Sequence, residues 1–221
     1  MKKLILKIVT CLVVASISLS LVACTYRAEG SVIQDVTFNV YYESTEEVKS
    51  IDITAKFYKT FAPKTTEHLL KLIKNNYYEN TSVVMGKGGN HLILGAFNYN
   101  NGNYEEIIYT GDSVEGEFTL AGRQSRLKAE AGTLVLMREP DTGKGTSKKY
   151  NTGKAVIALL LEEVSFISND IFCVFGKINS EAIEDLKDMR DELLTDADGD
   201  SKIRYIGDRN EEDNLTVENG K

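Results

Sequence analysis

Phe61-Ala-Pro-Lys-Thr-Thr-Glu-His-Leu-Leu-Lys-Leu-Ile-Lys-Asn-Asn-Tyr-Tyr78 is the stretch that decides how the rest of the chain is read. Pro63 has no N–H to satisfy and a φ already near the helical value, so it belongs at a helix start. From Thr65 onward the pattern is helical, with Leu69, Leu70, Leu72 and Ile73 recurring on one face. Asn75 to Thr81 then reads as a polar turn containing two tyrosines. Upstream the period changes from helical to two. Asp35 to Tyr42 and Ile51 to Tyr58 both alternate apolar and polar residues, predicting two strands paired antiparallel across the polar turn 43–47.

Downstream the chain is a series of short apolar runs. Ser82 to Met85 and Leu92 to Leu94 are divided by Gly86-Lys-Gly-Gly-Asn90, and Asn98 to Asn103 reads as a loop. Gly132 to Met137 and Lys154 to Leu161 read as buried strands, separated by a long Gly-, Thr- and Lys-rich surface loop, Pro140 to Gly153. Asp170 to Ile178 is a further strand. Ser180 to Leu194 places Ile183, Leu186, Met189 and Leu193 at helical spacing behind a Ser cap. Lys202 to Ile206 predicts a last strand, and 207–221 a polar, disordered tail. Many short strands with two helices far apart in sequence predict a mainly β fold, a closed antiparallel barrel with helices over its ends.

The N-terminus reads as an address. Lys2, Lys3 and Lys7 precede an uncharged run from Ile8 to Ala23, the pattern of an export signal rather than a lasting transmembrane helix. Leu21-Val22-Ala23-Cys24 resembles the lipobox of bacterial lipoproteins, in which the chain is cut before the Cys and the thiol carries a diacylglycerol. The resemblance implies a signal peptide over 1–23, a lipidated Cys24 with a tether over 24–34, a domain over 35–206, and location on the extracytoplasmic face of a cell membrane. Acyl chains contribute about 0.8 kcal/mol per buried CH2, so two of them hold durably.

Composition excludes several classes. The formal net charge of -7 argues against a nucleic-acid partner. Two His and three Cys leave too few ligands for a metal site of the usual kind, and none is expected. Cys11, Cys24 and Cys173 make no disulfide framework, and Cys173, inside an apolar run, reads as a core thiol. Asp196-Ala-Asp-Gly-Asp200 lacks the sixth-position Gly and the closing Glu of a calcium loop. Gly86-Lys-Gly-Gly has no following helix with which to cradle phosphate.

Phe61 to Tyr78 also resembles the first helix of cyclophilin-type peptidyl-prolyl isomerases, commonly Ala-Pro-x-Thr-x-x-Asn-Phe followed by Leu and a Tyr before the next strand. Three further segments fall in the family's order. Glu115-Gly-Glu-Phe118 is similar to its Gly-Glu-Phe segment, Gly132-Thr-Leu-Val-Leu-Met-Arg138 to its Gly-Thr-Leu-Ser-Met-Ala-Arg strand, and Val174-Phe-Gly-Lys-Ile178 to its Val-Phe-Gly-Lys-Val strand. The resemblance implies a closed eight-stranded barrel capped by two helices, with a proline-binding groove on its outer face. The reaction it implies is rotation about an X–Pro bond over a barrier of about 18–20 kcal/mol, which needs no cofactor. The partners implied are peptides and unfolded or secreted protein segments.

The groove does not carry over residue by residue. The family's Phe-His-Arg-Val strand aligns with Val83-Val84-Met85-Gly86, so Met85 stands where the family has Arg. Across the insertion at Gly86 to Asn90, His91 falls at the proline-stacking Phe and Leu94 at the Gln. Met137 replaces a small Ala, Ala155 opens the run aligned with Gln-Phe-Phe-Ile, and Phe172 falls at the groove His. The family's Trp position falls near Ile167, and the chain has no Trp. Removing one preorganised donor costs about 2.7–4 kcal/mol of transition-state stabilisation. The resemblance therefore implies a degenerate member that binds peptide or protein with little or no catalysis. The alternative is an active isomerase or folding factor for secreted proteins. Met85, Leu94, Met137 and Phe172 either line an apolar peptide groove or fill the old pocket as extra core. Lys87 and Arg138 are expected on solvated loop or strand ends, and His91 is expected to be packed or exposed rather than a donor.

Overall fold

A computed structural model describes residues 33–43, 48–79, 81–100, 103–122, 127–139, 149–195 and 216–219. The signal segment, the tether up to residue 32, the tip of the long loop, the Asp-rich stretch 196–200 and the expected strand Lys202 to Ile206 lie outside the described residues, while the last two residues of the expected tether, Ile33 and Gln34, open the first strand.

β1 (Ile33–Glu43) and β2 (Val48–Tyr58) pair antiparallel along their whole length, from Ile33 opposite Tyr58 to Glu43 opposite Val48. Their period-two patterns set the register, sending Phe38, Val40 and Tyr42 to the same interior as Ile51, Ile53, Ala55 and Phe57. Next come α1 (Pro63–Lys74), β3 (Thr81–Met85), a short 3-10 turn (Lys87–Gly89), β4 (His91–Asn100) and β5 (Asn103–Glu106). After them stand β6 (Thr133–Leu136), β7 (Ile157–Leu160), β8 (Cys173–Ile178), α2 (Ser180–Thr195) and β9 (Thr216–Asn219). The result is a mainly β fold, one curled antiparallel sheet with two helices. The strand order is β3-β9-β1-β2-β8-β6-β7-β4-β5, and β3 also pairs with β4.

Two stretches depart from expectation. Asn98 to Asn103, read as a loop, is a hairpin in which Asn100 stands opposite Asn103. Its Asn and Gly suit the turn, but Phe97 and Tyr99 keep the β period up to it. Within the segment expected to be disordered, Thr216–Asn219 forms β9, whose backbone pairs with Phe38 to Tyr41 of β1 and with Thr81 and Ser82 of β3. A four-residue strand leaves little local signal; partners distant in sequence define it.

α1 begins where a distant carboxylate receives it. Pro63 is at its first position, no residue of its own caps it, and its first turn carries no acid. Glu117, buried at 6% exposure, accepts hydrogen bonds from the N–H groups of Lys64 (3.1 Å) and Thr65 (2.8 Å). The orphan donors of the first turn are thus satisfied, and the negative charge sits at the positive end of the helix dipole. Leu69 and Leu72 are then buried against the sheet. Lys71 and Lys74 occupy the last turn, where cations are favoured. α2 buries Ala182, Leu186 and Met189, with Ile183 and Leu193 packed at the margin.

Both faces of the middle strands are covered. Leu134, Leu136, Ile157, Leu159, Cys173 and Phe175 point into the main core. Their alternates Val135, Ala158, Leu160 and Val174 point the other way, into a second cluster roofed by Leu127, Val164 and Ile167. A strand buried on both sides needs apolar residues throughout rather than alternation, and β6 to β8 read that way.

Replacing Glu117 with Ala leaves two backbone N–H groups of α1 without their acceptor. It is expected to destabilise the domain by about 2 kcal/mol in urea unfolding, with Glu117→Gln losing less.

Candidate functional site

The six positions that the resemblance assigned to a groove fall into different parts of the molecule. Met85 (2% exposed), Leu94 (4%) and Ala155 (0%) belong to the main core. The pleat explains the first two. Val83 and Met85 alternate inward on β3, as Leu92 and Leu94 do on β4, and Met85 stands opposite Leu92. Leu94 also lines an apolar cleft with Val36, Phe38, Phe57, Tyr78 and Ile157. Met137 and Phe172 lie half-buried against the second cluster, on the opposite face of the sheet. Ile167, near the family's Trp position, is buried in that cluster at 3% exposure.

His91 stands apart from these. Its ring is 6% exposed, lies against the backbone of Gly86 and meets Phe166 edge-on at 6.0 Å between centroids. A Cβ at residue 86 would come within 2.1 Å of the ring, so only glycine admits it. Nδ1 is buried without a hydrogen-bond partner, and burial pushes the imidazole below its ordinary pKa.

Arg138 was expected on a solvated strand end. Instead it is half-buried, with its guanidinium carbon 5.5 Å from the rings of Phe118 and Tyr150 and 5.3 Å from that of Phe172. Nε donates to the Ile171 carbonyl at 2.7 Å and Nη1 to the Glu139 carbonyl at 3.1 Å. The segments around it are tied to one another. Glu139 pairs with Lys149 at 2.5 Å, its N–H donates to Thr152 Oγ1, and Gly116 N–H donates to Asn151 Oδ1. Val114 N–H donates to the Gly153 carbonyl at 2.7 Å. Beside Arg138 is a small cleft lined also by Thr65, Gly116, Phe118, Leu136 and Tyr150. The three rings come from three segments distant in sequence, so no local pattern announces the clamp.

Cys173 is the core thiol the sequence predicts, 3% exposed, with Sγ 3.3 Å from Thr65 Oγ1. Burial pushes it up to about 12, against the lowering effect of the hydrogen bond with Thr65. Tyr78 is fully enclosed, donates to the Ala155 carbonyl at 2.7 Å, and is raised well above its ordinary value by burial. Among the described residues no group of three or more His, Cys, Asp or Glu is placed to hold a metal ion. No described helix is long and apolar enough to cross a membrane.

The model of the cyclophilin type peptidyl-prolyl cis-trans isomerase family matches residues 43–206, most of the chain. The chain belongs to that family. Its solved relatives include a cyclophilin type peptidyl-prolyl cis-trans isomerase of Cryptosporidium parvum, 18% identical, with 83% of this chain and 95% of that one covered at a TM-score of 0.49. The same isomerase in the presence of the dipeptide Ala-Pro matches with equal identity and TM-score, and 99% of that chain is covered. The Mimivirus cyclophilin is 12% identical over 84% of this chain and 87% of its own, again at 0.49. No curated protein matches the chain significantly. The cyclophilin match takes in α1, the Gly-Glu-Phe segment with Glu117, β6 and β8, where the sequence resemblance lay.

With its thiol raised to about 12, Cys173 is expected to resist maleimide in the folded domain at pH 8. The reaction should run roughly a thousandfold slower than for an ordinary thiol and become fast once urea unfolds the chain. Mass spectrometry of residues 25–221 reads this at a single cysteine.

Proposed function

We propose that this cyclophilin-family chain is a lipid-anchored protein of the extracytoplasmic membrane face that binds extended peptide or protein segments with little or no isomerase catalysis. The observation that carries the reading is Met85. At the position aligned with the family's Arg stands a thioether, 2% exposed, that packs in the main core. No N–H is available there to meet a prolyl nitrogen and weaken amide resonance. Leu94 and Phe172, at the aligned Gln and His, remove two more polar groups. Met137, Phe172, Tyr58 and Phe61, half-buried at the rim of the second cluster, are the apolar side chains suited to a peptide. That an Ala-Pro dipeptide was present with the Cryptosporidium parvum relative fits a peptide-binding ancestry. The eight-stranded barrel belongs to the same reading. It is supported by β3 pairing with β4 as well as with β9, which would join the two ends of the sheet. The anchor rests on Leu21-Val22-Ala23-Cys24 after the uncharged run.

A second reading, an active isomerase, has one observation in its favour: Arg138 is held rigidly beside Phe172 by rings and carbonyls.

A prolyl-isomerase assay on the soluble part, with a panel of X–Pro peptides, separates the two. The expected result is a rate within about twofold of the uncatalysed reaction at high protein concentration, whose barrier is about 18–20 kcal/mol. Catalysis abolished by Arg138→Ala would establish the second reading instead. Met85→Arg is not expected to restore activity. It forces a guanidinium into the core and should destabilise the fold by about 3 kcal/mol or more, seen as a lowered urea midpoint. In cells, Cys24→Ser should release the protein from the membrane fraction and abolish fatty-acid labelling; unchanged fractionation would refute the anchor.

A further inference from the structure

The segment that follows β7 is a cover over the outer face of β6 to β8, and one buried histidine holds its edge. Val164 and Ile167, 5% and 3% exposed, lie on Val135, Ala158, Leu160 and Val174. The N–H groups of Leu161 and Glu162 both donate to the Asn90 carbonyl, at 2.9 and 3.1 Å. The side-chain nitrogen of Asn90, in the orientation that satisfies it, donates to the Gly88 carbonyl at 3.0 Å and to Glu162 Oε2 at 3.3 Å. Next along the chain His91 puts its ring against the edge of Phe166, itself 57% exposed. Nothing polar meets His91 Nδ1 in this position.

We propose that protonation of His91 loosens the segment 161–168 and raises the fraction of molecules in which the apolar outer face of β6 to β8 is open to an extended apolar peptide under mildly acidic conditions. A neutral imidazole tolerates one unpartnered nitrogen. The imidazolium has two N–H donors and a charge, and where the ring now sits the Nδ1–H donor has no acceptor while burial weakens hydration of the charge. The ring cannot shift deeper, because the Gly86 backbone is already in contact with it. It must swing outward, and the contact with Phe166 goes with it.

Lys87 stands on the turn, Glu162 and Glu163 on the cover, and Arg190 is the residue of α2 that pairs with the cover. Glu162 pairs with Arg190 at 2.5 Å as well as with Asn90. Burial is the only cause moving the His91 pKa, and it lowers it. The closed cover is therefore fully favoured above about 6.5, the ordinary value of histidine, and loses stability as pH falls from there toward the lower value of the closed state. The proposal extends the peptide-binding reading by adding a condition for access; the latch itself requires neither catalysis nor the lipid anchor.

Hydrogen exchange of the full chain in detergent, read by mass spectrometry at about pH 7.5 and pH 5, tests it. After correction for intrinsic rates, exchange over 161–168 should quicken roughly five- to tenfold at the lower pH, while β6 and the far-ultraviolet circular dichroism stay unchanged. In His91→Phe, which keeps a ring against Phe166 but cannot take up a proton, the acceleration should vanish. An unchanged wild type, an equal acceleration in His91→Phe, or loss of structure throughout the molecule would each overturn the proposal. Should His91→Phe fail to fold, an NMR titration of the wild type replaces it, since the chain has only two histidines. A His91 titrating clearly below about 6.5 together with the Phe166 ring signals supports the latch; one titrating at or above that value refutes it. With the latch established, a fluorescent unfolded peptide binding equally at both pH values would overturn the peptide-access part alone.

Discussion

Strands β6, β7 and β8 are buried on both faces, and much of the molecule follows from that. A β-strand presents one residue in two to each side of its sheet. One face of these three strands closes the main core through Leu134, Leu136, Leu159 and Phe175; the other builds a second core from Val135, Ala158, Leu160 and Val174. The second face would be bare without Leu127, Val164 and Ile167, so the chain after β7 has to fold back over it. Each large apolar side chain removed from water contributes about 1.5–3 kcal/mol, enough to hold a covering segment with no regular structure of its own.

The scaffold was readable because its determinants are local. Alternation gave β1 and β2, and their interior residues are those the period selects. Leu69 and Leu72 on α1, and Leu186 and Met189 on α2, fall on the face that helical spacing assigns them. Uninterrupted apolar runs gave β6 to β8. One miss depends on pairs distant in sequence and another on turn residues that mask strand residues. β9 has only four residues, and its pairing with β1 and β3 cannot be inferred from Thr-Val-Glu-Asn. The Asn- and Gly-rich stretch at 98–103 looked like a loop because turn residues outnumbered strand residues, although only the tip of the hairpin needs them.

The site was less legible than the fold, and Glu117 and Arg138 show why. Both carry a charge, and side-chain charge by itself suggests the surface. Glu117 is buried where the N–H groups of Lys64 and Thr65 replace water as its donors, a partnership that spans more than fifty residues of sequence. Arg138 is half-buried because aromatic faces and backbone carbonyls replace the water it would otherwise have. The same limit applies to the aligned groove positions. Alignment assigns a residue to a position but not to a face, and here the pleat turns Met85 and Leu94 inward while Met137 and Phe172 remain on the other side.

These placements bear on what chemistry the domain can perform. Lowering the barrier of an X–Pro bond requires a donor aimed at the prolyl nitrogen, held still, and not already spent on the protein. Met85 offers no donor. Arg138 is held still, yet its Nε and Nη1 are directed at the carbonyls of Ile171 and Glu139. Swinging either toward a substrate would break a charge-assisted hydrogen bond, each contributing about 1.5–3 kcal/mol, and would loosen the rings of Phe118, Tyr150 and Phe172 around it. An arginine bonded to its own backbone organises the loops at this end of the sheet. On the proposed reading, the shape and apolar contact that a binding surface needs take the place of the polarisation that a rotation catalyst needs.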